Sequence, residues 1–178
     1  MALTMTITDT GWAKMLDADA QGLTLSLNEV GLGAGTYAVN PAANALAIER
    51  ERVAITDGEV DAAAKRLSLN LVLQSAAAYD INEVGLFDTD GDMIFVWAAA
   101  PGEGPLTAKT AQTKLAMGFA VVLDQAPADV IEIIDEGQDL TLLVPNCRWS
   151  VAMLASEALR GAAIEIQTRF NEQEVVPL

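Results

Sequence analysis

Residues 79–98 read YDINEVGLFDTDGDMIFVWA, two apolar runs parted by an acidic, glycine-bearing break. Ile81 to Phe87 and Met93 to Ala98 are rich in the β-branched and aromatic residues that suit a pleated sheet. Between them, Asp88-Thr89-Asp90-Gly91-Asp92 contains Asp-Gly, a pair that accepts the positive backbone angles of tight hairpin turns. The stretch therefore predicts a β-hairpin. The heart of its first arm, Asn82-Glu83-Val84-Gly85-Leu86, also occurs earlier as Asn28-Glu29-Val30-Gly31-Leu32, so two similar strands in equivalent surroundings are expected. Neither copy supplies an obvious catalytic group.

Outward from the hairpin, strand signals dominate. Leu67, Leu69, Leu71 and Leu73 alternate with Ser68, Asn70, Val72 and Gln74, the period of a strand with one buried face. Leu115 to Leu123 is continuously apolar and predicts a strand buried on both faces. Leu23, Leu25 and Leu27 alternate ahead of Gly31-Leu32-Gly33-Ala34-Gly35, and Glu49-Arg50-Glu51-Arg52 precedes Val53-Ala54-Ile55 as the outer part of another strand. Val130–Ile134 reads as a strand, Gln138–Val144 as a short last one ended by Pro145, and Asp57-Gly58 as a turn. Two segments read as helices. Thr8-Asp9-Thr10 caps a short one with Trp12, Met15 and Leu16 on one face, closed by Gly22. From Ser150 to about Phe170, Ala152, Ala155, Leu159, Ala162 and Ile166 recur at spacings of three and four, a seam suited to self-association. The expected class is α+β, a β-rich core of mainly antiparallel sheets with a short N-terminal helix and a C-terminal helix. The expected units are 1–146 and 147–178.

Composition excludes several functions. With no histidine, imidazole catalysis and His-ligated zinc are out of reach. Against 10 basic residues stand 25 acidic ones, a net charge of −15, which repels phosphate backbones and anionic membranes. Neither nucleic-acid binding nor membrane insertion is expected, since no apolar run approaches the roughly 20 residues that span a bilayer. MALTMTITDTGWAK lacks a basic region followed by an apolar one, so no signal peptide is expected. The single cysteine, Cys147, rules out an intrachain disulfide and fits a reducing compartment.

Several motifs invite ligand chemistry. Gly31-Leu32-Gly33-Ala34-Gly35 leads into Thr36-Tyr37-Ala38-Val39-Asn40-Pro41 rather than a helix and no Gly-Lys-Ser/Thr follows, so it reads as a flexible loop and not a phosphate cradle. Asp88, Asp90 and Asp92 suggest calcium, but Gly91 sits between the second and third aspartates and no bidentate glutamate closes an EF-hand loop. Turn chemistry is the expected role, with no metal and no cofactor. The acids Asp124, Asp129, Glu132, Asp135, Glu136 and Asp139 are spread over turns and one strand, as a charge-lined face. Pro101-Gly102-Glu103-Gly104-Pro105 opens a projecting loop running to about Thr110, with Lys109 and Lys114 as a basic spot beside it and contact as its candidate role.

Taken in order, these features resemble the N-terminal domain of phage tail-collar fibre proteins. The matching residues are Thr8-x-x-Gly11-x-Ala13, Val30-Gly31-Leu32-Gly33-x-Gly35, Glu83-Val84-Gly85-Leu86-Phe87-Asp88 with Asp90-Gly91 and Met93–Ala98, and the late Leu115–Leu123 strand. They span about 3–145. The resemblance implies a non-enzymatic component of the virion, made in the host cytoplasm, that docks a fibre on the baseplate, commonly as a trimer. It gives Gly11, Gly31, Gly33, Glu83, Gly85, Leu86, Asp88 and Gly91 structural roles. Fibres of that family continue into a shaft and a receptor-binding tip, whereas this sequence stops at Leu178. A short fibre or an adaptor joining the baseplate to a distal fibre protein is therefore expected. Contacts are expected at Pro101, Gly102, Glu103, Gly104, Pro105 and Lys109, along the 150–170 seam to Phe170, and in the tail at Val175, Val176 and Leu178.

Two rival readings differ in class. Glu83, Asp88 and the 124–139 acids could supply a carboxylate pair for glycan cleavage, or the protein could bind glycans, although aromatic residues make up only 5% of the chain. A calcium-dependent binding module would use residues 88–92.

Overall fold

In the computed structural model, residues 2–123 and 128–135 are described. In chain order they form β1 (Ala2–Thr4), β2 (Thr6–Ile7), α1 (Asp9–Gln21), β3 (Leu25–Gly33), β4 (Glu49–Ala54), β5 (Asp57–Asp61), β6 (Arg66–Leu73), β7 (Tyr79–Ile81), β8 (Glu83–Asp88), β9 (Met93–Ala98), β10 (Thr107–Lys109), β11 (Leu115–Val122), a 3-10 turn (Ala128–Val130) and β12 (Ile131–Ile133). One sheet has the order β1-β11-β6-β5. The other runs β12-β3-β8-β9-β2, with β4 also paired to β3. A short ribbon joins β10 to β7. The named strands pair antiparallel, except that β1 runs parallel to β11 and β12 parallel to β3.

Period-2 patterning builds the core between the two sheets. Leu67, Leu69, Leu71 and Leu73 of β6 join Phe119 and Val121 of β11 on one side, and Leu25, Leu27, Val30, Leu32, Val84 and Leu86 answer them from β3 and β8. Each such side chain contributes roughly 1.5–3 kcal/mol when fully buried. Ile55 belongs to the same cluster, at the point where the chain leaves β4 for β5.

The two Asn-Glu-Val-Gly-Leu copies pair with each other. Val30 faces Leu86, Gly31 faces Gly85 and Leu32 faces Val84, so the copies are related by a local two-fold centred on the glycine pair. Successive residues point to opposite faces, which sends Val84 and Leu86 to the main core and Gly85 and Phe87 to the other side. There Phe87, Leu46, Met93 and Val96 form a second cluster with Val39 and Ala43. All six residues of β8 are consequently buried. The Phe87 ring occupies the space that side chains at both glycines would need: a Cβ at Gly31 would lie 2.7 Å from Cε2 of the ring, and one at Gly85 2.9 Å from it. On β4, which pairs Arg52 with Gly31, the Arg52 guanidinium lies 3.5 Å from the centroid of the same ring.

Several expectations need correction. The described residues make a β structure with a single α-helix near the N-terminus, so the α+β class with a C-terminal helix is not supported. The helix expected over 150–170 and the strand over 138–144 lie outside the described residues, as do the residues 147–178 assigned to a second unit. In α1, Thr8 caps the start and Gly22 the end, as expected, but the buried positions are Gly11 and Met15, and Leu16 is 61% exposed. Gly31 and Gly33 belong to β3 rather than to a flexible loop, because the strand continues through them against β8 and β4. Asp57-Gly58 opens β5 instead of turning, since both residues pair with β6; the reversal comes at Ala62–Lys65. β11 buries Phe119 and Val121 while Ala116 and Gly118 stay exposed, so its small residues form an open outer face.

Gly31→Ala should cost about 2 kcal/mol, the range of an overpacked core, measured by urea unfolding. In a Phe87→Leu background, where the ring is gone, the same change should cost less than half as much. An equal cost in both backgrounds would show that the ring is not what demands glycine.

Candidate functional site

Glu83 begins β8 opposite Gly33, and the missing side chain there leaves the space that the Glu83 carboxylate fills. This carboxylate is fully buried. Oε1 accepts from the backbone N–H of Gly35 (3.0 Å) and of Ile48 (2.7 Å), while Oε2 accepts from the N–H of Ala47 (2.9 Å) and the Tyr37 hydroxyl (2.8 Å). Four donors from both ends of the 34–48 segment thus converge on one side chain, which offsets the cost of burying its charge. That segment carries Val39, Ala43 and Leu46 over Phe87. Burial, and then the hydrogen bond to Glu83, push the Tyr37 phenol well above its ordinary pKa.

The hairpin turn is held just as tightly. Gly91, at φ +85°, donates its N–H to the Asp88 carbonyl (2.9 Å), and the Asp88 N–H donates to the Asp92 carbonyl (3.0 Å). This is a three-residue hairpin loop with glycine in the left-handed position. Asp88 is buried, and its Oδ1 accepts from the N–H of Asp90 (3.1 Å) and Asp92 (2.9 Å). The Lys14 ammonium from α1 lies 2.5 Å from Asp88, 2.9 Å from Asp90 and 2.6 Å from Asp92. Carboxylate oxygens of the three aspartates fall within 4.8 Å of one another, a spacing that suits a metal ion. Here the chain's own cation fills that position. Burial works against the Lys14 charge, but the hydrogen bonds to the aspartates outweigh it and raise its pKa. A second tie joins the same elements: Thr8 donates its hydroxyl to the Met93 carbonyl (2.6 Å) and accepts from the Gly11 N–H (2.9 Å). Gly11 itself must lack a side chain, because a Cβ would lie 2.5 Å from the Ile94 carbonyl oxygen.

Pro101 to Pro105 are all exposed, as expected of a projecting loop. Its base is fixed on both sides, by the Ala99 N–H on the Asn82 carbonyl (2.7 Å) and the Leu106 N–H on the Ile81 carbonyl (2.9 Å). Lys109 departs from expectation. It belongs to β10, is only 2% exposed, and donates to the carbonyls of Ser75, Ala77 and Thr113. Beside it, Glu51 accepts from Ser75 N–H (3.2 Å), the Ser75 hydroxyl (2.7 Å) and the Tyr79 hydroxyl (3.0 Å). Burial opposes the Glu51 charge, but these bonds and the charge of Lys109 lower its pKa. The basic spot is therefore an internal fastening, with Lys114 alone exposed.

The structure thus brings Gly31, Gly33, Glu83, Gly85 and Leu86 together in one paired block, and joins Asp88, Gly91 and Gly11 through α1. Ala152, Ala155, Leu159, Ala162, Ile166, Phe170, Val175, Val176 and Leu178 lie outside the described residues. Glu83 and Asp88, the carboxylates offered for glycan cleavage, are buried and saturated with donors. Lys14, Tyr37 and Glu51 carry no signal of these roles in the sequence, whereas Gly35 stands in the glycine run that carries the family resemblance. A cleft of about 490 Å³, also unforeseen, opens beside β1, β2 and the start of α1, where Met5, Ile7, Asp9, Trp12, Phe95 and Leu123 line it.

Residues 1–137 match the family model described as phage tail-collar fibre protein, N-terminal. No curated protein and no solved structure matches the chain.

Both tyrosines of the chain hydrogen-bond buried or half-buried carboxylates. Burial first, then those bonds, raise both phenols, so the stabilisation is complete below the ordinary value of about 10 and is lost only above it. Absorbance titration should show no tyrosinate in the folded protein near pH 10. Glu83→Gln, which turns an amide N–H toward backbone donors, should cost about 3 kcal/mol and let one phenol ionise earlier. Calcium should leave the melting temperature unchanged; a calcium-dependent rise would mean that the ion displaces Lys14.

Proposed function

The chain belongs to the phage tail-collar fibre family and is a structural protein of the phage tail, and we propose that it is a short tail fibre or fibre adaptor that attaches to the baseplate. It works through contact with other tail proteins. The reading is supported above all by where the motif residues go: Glu83, Gly31, Gly33, Gly85 and Asp88 are spent on holding the scaffold, and the exposed loop 101–105 stands on a base fixed at both ends. A loop presented by a rigid scaffold binds without first having to be ordered.

In this reading Pro101, Gly102, Glu103, Gly104 and Pro105 touch the baseplate. The apolar residues of 147–178, among them Leu159, Ile166, Val175, Val176 and Leu178, join copies into a trimer or hold a distal fibre protein. A net charge of −15 selects basic partners and speeds encounter with them.

Exchanging 101–105 for a Gly/Ser stretch of equal length should leave the melting temperature nearly unchanged, because these side chains are exposed. Incorporation into tails, scored on purified particles, should fall at least tenfold (~1.4 kcal/mol). Unaltered incorporation would overturn the role of this loop. Sedimentation of the full chain should give the mass of three copies, and a monomer would overturn the trimer.

A further inference from the structure

The cleft beside β1 and β2 has no part in the contacts described so far, and its lining is chemically mixed in a particular way. Met5, Ile7, Phe95 and Leu123 give it apolar walls, and Trp12 adds a half-exposed indole. Asp9 is the one titratable residue in the lining. Unlike Glu83, Asp88 and Glu51, its carboxylate has no hydrogen bond or ion pair among the described residues. Among the described residues, β1 and β2 are the outermost strands of their two sheets, each paired there on one side only.

We propose that this cleft receives a lysine or arginine side chain carried by an extended segment of a partner tail protein, laid along the open edge of β1 and β2. Each part of the lining answers a part of such a group. Apolar walls suit the methylene stem, the indole is the best aromatic partner for a cation, and Asp9 supplies the counter-charge. Strand addition supplies register through main-chain bonds while a pocket reads the side chain. Charge complementarity favours this occupant over an apolar or acidic one, since the chain carries −15 overall. The positive end of α1 opposes a cation with roughly half a charge, against a full negative charge on Asp9. Attraction wins.

The proposal deepens the attachment reading and rests on it for the origin of the partner. Its test uses the full chain, labelled with nitrogen-15, and a synthetic peptide, acetyl-Thr-Val-Lys-Val-Thr-amide, beside versions with glutamate or norleucine for the lysine. The lysine peptide should shift the Trp12 indole and the amides of 4–9, and bind at least tenfold more tightly than the glutamate version. Asp9→Asn should reduce that preference to threefold or less, and so should high salt, which screens exposed charges. Trp12→Leu should weaken the lysine peptide more than the norleucine one, with folding checked by the unchanged signals of Trp97. Equal binding of the three peptides, shifts elsewhere on the protein, or no shift at about 5 mM peptide, weaker than the ~1 mM limit of useful recognition, would overturn the proposal. Any of these could occur with tail incorporation still dependent on 101–105, so failure here is separable from failure of the attachment reading.

Discussion

The structure depends on one buried carboxylate. A buried carboxylate needs hydrogen-bond donors, and the four that Glu83 has come from residues 35, 37, 47 and 48. An excursion of more than a dozen residues is thereby fixed at both ends to the first residue of β8. Once that excursion lies flat, Leu46 and Val39 cover Phe87, and β8 is buried on both faces instead of one. Glycine at 33 and 35 is part of the same arrangement, because side chains there would occupy the space of the carboxylate. A polar interaction thus sets the conditions for an apolar layer.

Charge is handled in the same way elsewhere. Lys14 offsets part of the charge of the aspartate-rich turn, Lys109 ties down the 75–77 connection, and Arg52 bridges Glu49 (2.8 Å) while covering Phe87. Among the described residues these three basic side chains are spent within the fold, Lys14 and Arg52 on carboxylates and Lys109 on backbone carbonyls beside Glu51. The rest of the acidic surface is left unbalanced, and this biases the protein toward basic partners.

Much of the fold was legible wherever the signal is local. The hairpin at 81–98, the alternating leucines of β6, and the capping of α1 by Thr8 and Gly22 depend on neighbours in sequence, and sequence shows neighbours. What was hidden depends on partners far along the chain. Lys109 looks like a surface charge until the carbonyls of Ser75 and Ala77 are known to surround it. Lys14 and the aspartates of 88–92 are more than seventy residues apart. Asp57-Gly58 reads as a turn, but its pairing with β6 overrides that weak local preference. For the candidate site, the motif residues were visible but their purpose was not: Glu83 is identifiable as important, and only the geometry shows that its carboxylate gathers donors from both ends of the 34–48 segment.

The pairing of Gly31 with Gly85 gives the repeated Asn-Glu-Val-Gly-Leu a simpler origin than an ancient duplication. Antiparallel pairing about a local two-fold makes each copy the other's neighbour, so the same letters satisfy both. The equivalence ends at the glutamates, since Glu83 faces Gly33 and is buried, whereas Glu29 faces Phe87 and lies 3.9 Å from Arg52 near the surface. The two glycines are one requirement written twice. Neither can drift while the aromatic ring spans both, so in a lineage of such proteins the pair and the ring should be inherited, or replaced, together.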